Sequence, residues 1–227
     1  GSGTIDFVDA SILESAANAP ISFGSPYLVG LPLGALGLAG SGSADAGSGS
    51  TPTFTQQGFV GKGPLNNATV FLDFNDDGVK DSNEPSAKTD ADGYFTITTT
   101  QSEYSIVAIT DGGTIDASSG NVLDGIVLKA TKDSSMVSPT TTLMKDSGLS
   151  AAAVKTILGL PDSYDPTTFN PYATGADAAL ALSIEKANHK IVSTINTFSG
   201  ALEGSGASAT DAFTASLEAF VEVINDK

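Results

Sequence analysis

"ATVFLDFNDDGVKDSNEPSAKTDADGYFTI", residues 68–97, sets an acidic loop between two apolar runs. Its twelve central residues, Asp73 to Glu84, carry five side-chain carboxylates and two asparagines around a single glycine, Gly78. The flanks decide what kind of loop this is. "ATVFLDF" (68–74) enters as a strand, and "GYFTITT" (93–99) leaves as another. Pro85 follows Glu84 directly, which argues against a helix continuing from the loop. The loop is therefore strand-borne, not the centre of a helix–loop–helix.

Outward from it, "YSIVAIT" (104–110) and "NVLDGIVLKA" (121–130) are further short apolar runs punctuated by Gly, Asp, Asn and Ser. No segment between them is long enough for a crossover helix, so an antiparallel sandwich is expected over residues 54–137. Beyond residue 137 the period changes. "SPTTTLMKDSG" offers Ser138 as a cap, Pro139 at the first helical position and Gly148 as a stop, and "SAAAVKTILGLP" repeats this with Ser150 and Gly159. Leu180, Ile184, Ala187, Ile191, Ile195 and Phe198 form an apolar stripe at helical spacing, and Phe213, Leu217, Phe220 and Ile224 form another. Phe198, Phe213 and Phe220 are read as core. The expected fold is β + α segregated: an antiparallel Greek-key β-sandwich (54–137), then a small helical bundle (138–227). An irregular glycine-rich N-terminal segment (1–53) precedes them.

That first segment has no lysine through residue 61 and contains "PYLVGLPLGALGLAG" (26–40), followed by the linker-like "SGSADAGSGS" (41–50). The apolar run is shorter than the roughly 20 residues that span a bilayer. It reads as a packed extended segment, a contact surface for a neighbouring domain or subunit, or a membrane-associated stretch. No basic region precedes an apolar run, so no signal peptide is expected.

The 227 residues hold 10 basic side chains, all lysine, against 26 acidic ones, a formal net charge of -16. Such a field draws the chain neither to nucleic acid nor to an anionic membrane, and gathers cations instead. Cysteine is absent, which excludes disulfides and thiolate metal sites.

Counted from Asp73 as position 1, the loop places Asn75 at 3, Asp77 at 5, Gly78 at 6, Val79 at 7, Asp81 at 9 and Glu84 at 12. This spacing is that of a twelve-residue calcium loop, with Val79 offering its carbonyl and Glu84 a bidentate carboxylate. Clustered carboxylates repel, and a hard divalent cation reverses that sign. The expectation is a structural Ca2+ held by Asp73, Asn75, Asp77, Val79, Asp81 and Glu84. Asp90 and Asp92 either close the same site, form a second one, or make the turn into the next strand.

Other chemistry has little support. His189 is the only histidine and lies off the main stripe of its helix, as a surface residue would. No G-x-S-x-G elbow occurs, and the glycine runs lack the lysine of a phosphate loop.

Residues 64–97 resemble the calcium-loaded B-type β-sandwich modules of serine-aspartate repeat adhesins and the related carboxypeptidase-regulatory-like sandwiches. The shared pieces are Ala68 and Val70, then Asp73 to Glu84, then Thr89, Asp90, Gly93 and Tyr94. Residues 137–191, with "VSPTTTL" and "LGLPDSYDPTTFNP", are similar to a segment that follows such sandwiches in large bacterial RTX-type surface proteins. The resemblance implies a non-enzymatic, secreted, calcium-stabilised structural or adhesive module at the cell surface or in biofilm. Its partners would be protein neighbours, through self-association or adjacent domains. Two alternatives stand beside it: a filament or surface-layer subunit using residues 26–40 between subunits, and a secreted hydrolase with an accessory calcium sandwich.

Overall fold

Ten strands precede four helices among the described residues, 52–226, of the computed structural model. The strands are β1 (Phe54–Val60), β2 (Leu65–Asn66), β3 (Thr69–Asp73), β4 (Ser86–Lys88) and β5 (Tyr94–Thr99). Then come β6 (Ser105–Ile109), β7 (Thr114–Asp116), β8 (Val122–Leu123), β9 (Val127–Thr131) and β10 (Met136–Val137). The helices are α1 (Pro139–Ser147), α2 (Ala151–Leu158), α3 (Ala178–Glu203) and α4 (Ala209–Asn225). The apolar run at 26–40 and the linker at 41–50 lie outside the described residues. Among the described residues no helix is long and apolar enough to cross a membrane.

The strands form three sheets, ordered β10-β1-β5, β2-β7-β8 and β4-β3-β6-β9, and none closes into a barrel. In β5, Phe95, Ile97 and Thr99 are buried while Tyr94, Thr96 and Thr98 are exposed, the period of a half-covered strand. In β3 the consecutive residues Val70, Phe71 and Leu72 are all buried, so both faces of its sheet are covered. One continuous core explains this. It joins Val70, Phe71, Leu72, Phe95 and Ile97 from the strands with Ile191, Val192, Ile195, Phe213 and Leu217 from α3 and α4.

The pairing is antiparallel except for one pair: β10 runs parallel to β1, with Met136 opposite Phe59 and Val137 opposite Val60. An all-antiparallel arrangement is thus corrected. The chain leaves β9, turns through residues 132–135 and arrives beside β1 in the same direction. There Phe59 N–H donates to Ser135 O (3.0 Å) and Gly61 N–H to Val137 O (2.9 Å). The run at 121–130 is likewise two strands, not one. Gly125 interrupts it at φ 72 and lies so close to Ala209 that a Cβ there would overlap it.

The helix signals act as expected. Ser138 caps α1 in a reciprocal capping box with Thr141, and Gly148 ends the helix at φ 68. Ser150 caps α2, and Gly159 closes it at φ 65. The loop after α2 returns to the strands, where the Thr167 carbonyl accepts the N–H groups of Ser135 (2.9 Å) and Met136 (3.1 Å).

Phe198 departs from the expected core and is 60% exposed, whereas Phe213 is buried. It shares one edge of the α3 stripe with Leu180 and Ala187. Leu160, Tyr164 and Phe169 cover that edge along the first half of the helix only.

Candidate functional site

The acidic loop begins where β3 ends. Asp73 is 1% exposed and Glu84 is 4% exposed, so the two ends of the loop are buried acids. Backbone amides meet their oxygens. Asp73 accepts the N–H of Asp76 at Oδ1 (2.6 Å) and that of Gly78 at Oδ2 (2.7 Å). Glu84 accepts from Phe74 at Oε1 (2.8 Å) and from Asp81 at Oε2 (2.9 Å). Asp77 accepts the Val79 N–H (2.7 Å) and the Asn75 amide (2.9 Å). The same Asn75 amide reaches Asp81 Oδ2 at 3.2 Å.

Asp76, not one of the expected ligands, ties the loop to the rest of the molecule. It accepts Lys145 Nζ of α1 at 2.6 Å and the Ser105 hydroxyl of β6 at 2.6 Å. Burial acts to raise its carboxyl, but the hydrogen bonds from Lys145 and Ser105 and the charges of Lys145 and Lys129 outweigh it. The group is held below the usual carboxylate range. Beside it, burial raises Asp146 although Lys129 donates to it at 3.1 Å. Asp90 and Asp92 make the turn into β5: Asp90 Oδ1 accepts the N–H groups of Asp92 (3.0 Å) and Tyr94 (2.9 Å).

Among the described residues no group of three or more His, Cys, Asp or Glu side chains is placed to hold a metal ion. The expected Ca2+ at Asp73, Asn75, Asp77, Val79, Asp81 and Glu84, with or without Asp90 and Asp92, is corrected on this point, and with it the calcium-stabilised function. The physical reason lies in the turn chemistry. Short Asp and Asn side chains that could face an ion also bond the N–H groups two to five residues ahead. Here they do the latter, and Lys145 of α1 brings positive charge to the loop at Asp76.

A second polar cluster has no motif in the sequence. Lys62, between β1 and β2, lies 3.7 Å from Asp116 Oδ2 at the end of β7, with the two side chains 15% and 3% exposed. Asp116 Oδ1 also accepts the N–H (2.9 Å) and the hydroxyl of Ser118. From the loop before α3, Tyr172 stacks on Phe59 and donates its hydroxyl to Glu185 Oε2 at 2.6 Å. Burial is the main cause that raises Glu185 above the usual range, with Asp116 adding to it against the bond from Tyr172 and the charge of Lys62. Burial, then Glu185, raises Tyr172 strongly.

Asn188 is 1% exposed and accepts the Thr140 hydroxyl at 2.8 Å, yet its Nδ2 and Glu185 Oε1 are buried without a hydrogen-bond partner. His189 is on the exposed side of α3 and faces Ser193 at 3.3 Å. Burial and the Lys62 charge push its imidazole below the ordinary value, against Asp116. One sequence signal pointed here. Asn188 falls between Ile184 and Ile191 on the apolar stripe, where a polar residue requires a buried partner.

Hollows are small. The seam between Leu128, Ile191, Phe213 and Leu217 has no room for a water molecule. A space of about 130 Å³ opens beside Ser134, Thr141, Met144 and Lys145. Small-molecule sites usually enclose about 300–1,000 Å³. The polar groups around it are engaged: Ser134 Oγ donates to Met136 O and Thr141 Oγ1 to Lys129 O.

No protein-family model matches the chain, and neither a curated protein nor a solved structure matches it. The resemblance to surface adhesins therefore stands on the motifs of residues 64–97 and 137–191 alone.

Proposed function

We propose that the chain is a non-enzymatic structural module of a bacterial surface assembly, a stiff element that joins protein neighbours outside the cell. One observation carries this reading: strands and helices share a single core, so neither part can yield without exposing the apolar surface of the other. Three ties from different places reinforce it. Lys145 of α1 holds Asp76 of the acidic loop, Thr167 holds the start of β10, and Lys129 of β9 holds Asp146 of α1.

The finer architecture in this reading is a Greek-key sandwich of β4-β3-β6-β9 and β10-β1-β5, with the helices closing one side. The net charge of -16 and the lack of cysteine suit an exported, well-hydrated surface, and the adhesin-like motifs agree with it.

The test is mechanical. Pulled from its two ends, the full chain is expected to release the strands and α1 to α4 in one rupture. Helices that peel away at low force, leaving the strands intact, would sink the proposal.

A further inference from the structure

Away from the acidic loop and the polar cluster under α3, one sheet edge is unlike the others. The edge strands β2 and β8 are two residues long. β4 has three residues, carries Lys88 and follows Pro85. β9 is met by α1, where Lys129 N–H donates to Thr142 Oγ1 (2.9 Å) and Lys129 O accepts from Thr141 Oγ1 (2.9 Å). β10 is met by Thr167, whose carbonyl takes the Met136 N–H (3.1 Å). Short length, proline, lysine and cover keep a sheet edge from pairing with another chain. β5 lacks these guards. It is six residues long with Thr96 and Thr98 exposed, and "GYFTITTTQS" (93–102) holds neither a charge nor a proline.

The register shows what that edge offers. Val60 N–H donates to Gly93 O (2.9 Å), and from there Phe59 lies opposite Tyr94 and Gly58 opposite Phe95. Bonded pairs alternate along an antiparallel ladder, so Phe95, Ile97 and Thr99 turn their N–H and C=O groups to β1. Tyr94, Thr96 and Thr98 turn theirs away from it. Tyr94 is satisfied there by Asp90, whose N–H it accepts (2.9 Å) and whose Oδ1 takes its own N–H (2.9 Å). Among the described residues no strand pairs with Thr96 and Thr98 on that side.

We propose that two copies of this chain pair through β5, edge to edge and antiparallel, about a two-fold axis at Ile97. Two features select a second copy as the occupant. The outward groups are symmetric about Ile97, so Thr96 of one copy faces Thr98 of the other, and each gives an N–H and accepts one at its carbonyl. The strand is its own complement. Charge is the second feature. At a net charge of -16 two copies repel, but β5 brings no charged side chain to the contact. The nearest acids, Asp92 and Glu103, come to the ends of the pair, and Lys132 already meets Glu103.

A contact one strand wide is smaller than a standard stable interface, so the pairing is reversible and serves crowded copies. It deepens the proposed role as a joint between protein neighbours, and rests on that reading for the crowding.

The test is the mass of the full chain in solution, by sedimentation at rising concentration. A monomer–dimer equilibrium is expected, tightened by added salt as the end acids are screened. Thr96→Pro removes an outward N–H, spares the ladder to β1, and is expected to weaken the dimer about tenfold or more. Thr55→Pro, whose N–H points to the far side of β1, is expected to leave the dimer unchanged. The chain has no cysteine, so disulfides read the register: Thr96→Cys mixed with Thr98→Cys should oxidise to a covalent dimer far more readily than either variant alone. This mixture decides the matter where Thr96→Pro does not fold. A chain monomeric at every concentration overturns the pairing, while the single rupture expected of one pulled chain stands or falls separately. A dimer that salt weakens, that persists in T96P, or that cross-links equally well in one cysteine variant alone overturns it too.

Discussion

The acidic loop and the cluster under α3 handle charge in opposite ways. In the loop, carboxylates adjacent in sequence are spread among neighbouring amides and lysines, and each buried oxygen has a donor. In the cluster, groups distant in sequence are forced together by the fold, and two polar atoms are left without partners. Density of charge along a chain is thus a poor guide to electrostatic stress inside it. Stress arises where burial outruns hydrogen bonding.

The largest effect that bears on this contrast is expected at the buried end of the loop. Asp73→Ala removes the acceptor of two amide N–H groups, and should cost about 3 kcal/mol in urea denaturation, given roughly 1.5 kcal/mol or more per bond to a charged group. Asp77→Ala, on the exposed side, should cost under about 1 kcal/mol. Equal losses at the two positions would break the account of the loop.

Next comes the cluster. Tyr172→Phe takes the one observed donor from Glu185 and should cost about 1–3 kcal/mol at neutral pH. The sign with pH is the sharper test. The folded value of Glu185 lies above its ordinary 4.5, so the folded state keeps a proton that the unfolded chain gives up. Its contribution is present below pH 4.5 and is lost as pH rises through the folded value. The penalty in Tyr172→Phe should therefore shrink in acid, where the carboxyl is neutral. A penalty independent of pH would mean that Glu185 is not the group affected.

Asp76 has the reverse sign. Its folded value lies below 3.8, so its contribution is present above that pH and lost as pH falls through the folded value. Lys145→Met should flatten this acid limb at a cost below about 1 kcal/mol, since the Asp76 side chain is 58% exposed and water screens the pair. An unchanged acid limb in urea titrations would remove Lys145 as the cause.

The smallest effect expected is none. Excess chelator, or added calcium, should leave the melting temperature unchanged at neutral pH, because amides and Lys145 already meet the loop oxygens. A fall on chelation would put a cation back among them.

Much of the chain's local structure was legible in the sequence. Caps and stops declared α1 and α2, since Ser138, Pro139, Gly148, Ser150 and Gly159 act through nearby backbone alone. Alternation declared β5 for the same local reason. The parallel β1–β10 pair was not legible, because direction depends on how the chain returns from β9 and leaves no mark in two residues. The loop spacing was legible as a tight turn, but the direction of each carboxylate was not: an Asp oxygen serves an ion or an amide with the same residue pattern. The cluster at Lys62, Asp116, Tyr172 and Glu185 escaped because its members come from four separate segments, with only Asn188 to hint at it.

The parallel pair has a mechanical consequence. Tension entering at the start of β1 and leaving at the end of β10 would act along the strands in opposite directions, loading their bonds in shear. The bonds of Phe59 and Gly61 to the β10 segment would then have to fail together and not in sequence, as they would in a peeled hairpin. Such a joint gives way late and abruptly, a property set by chain direction more than by how many bonds it contains.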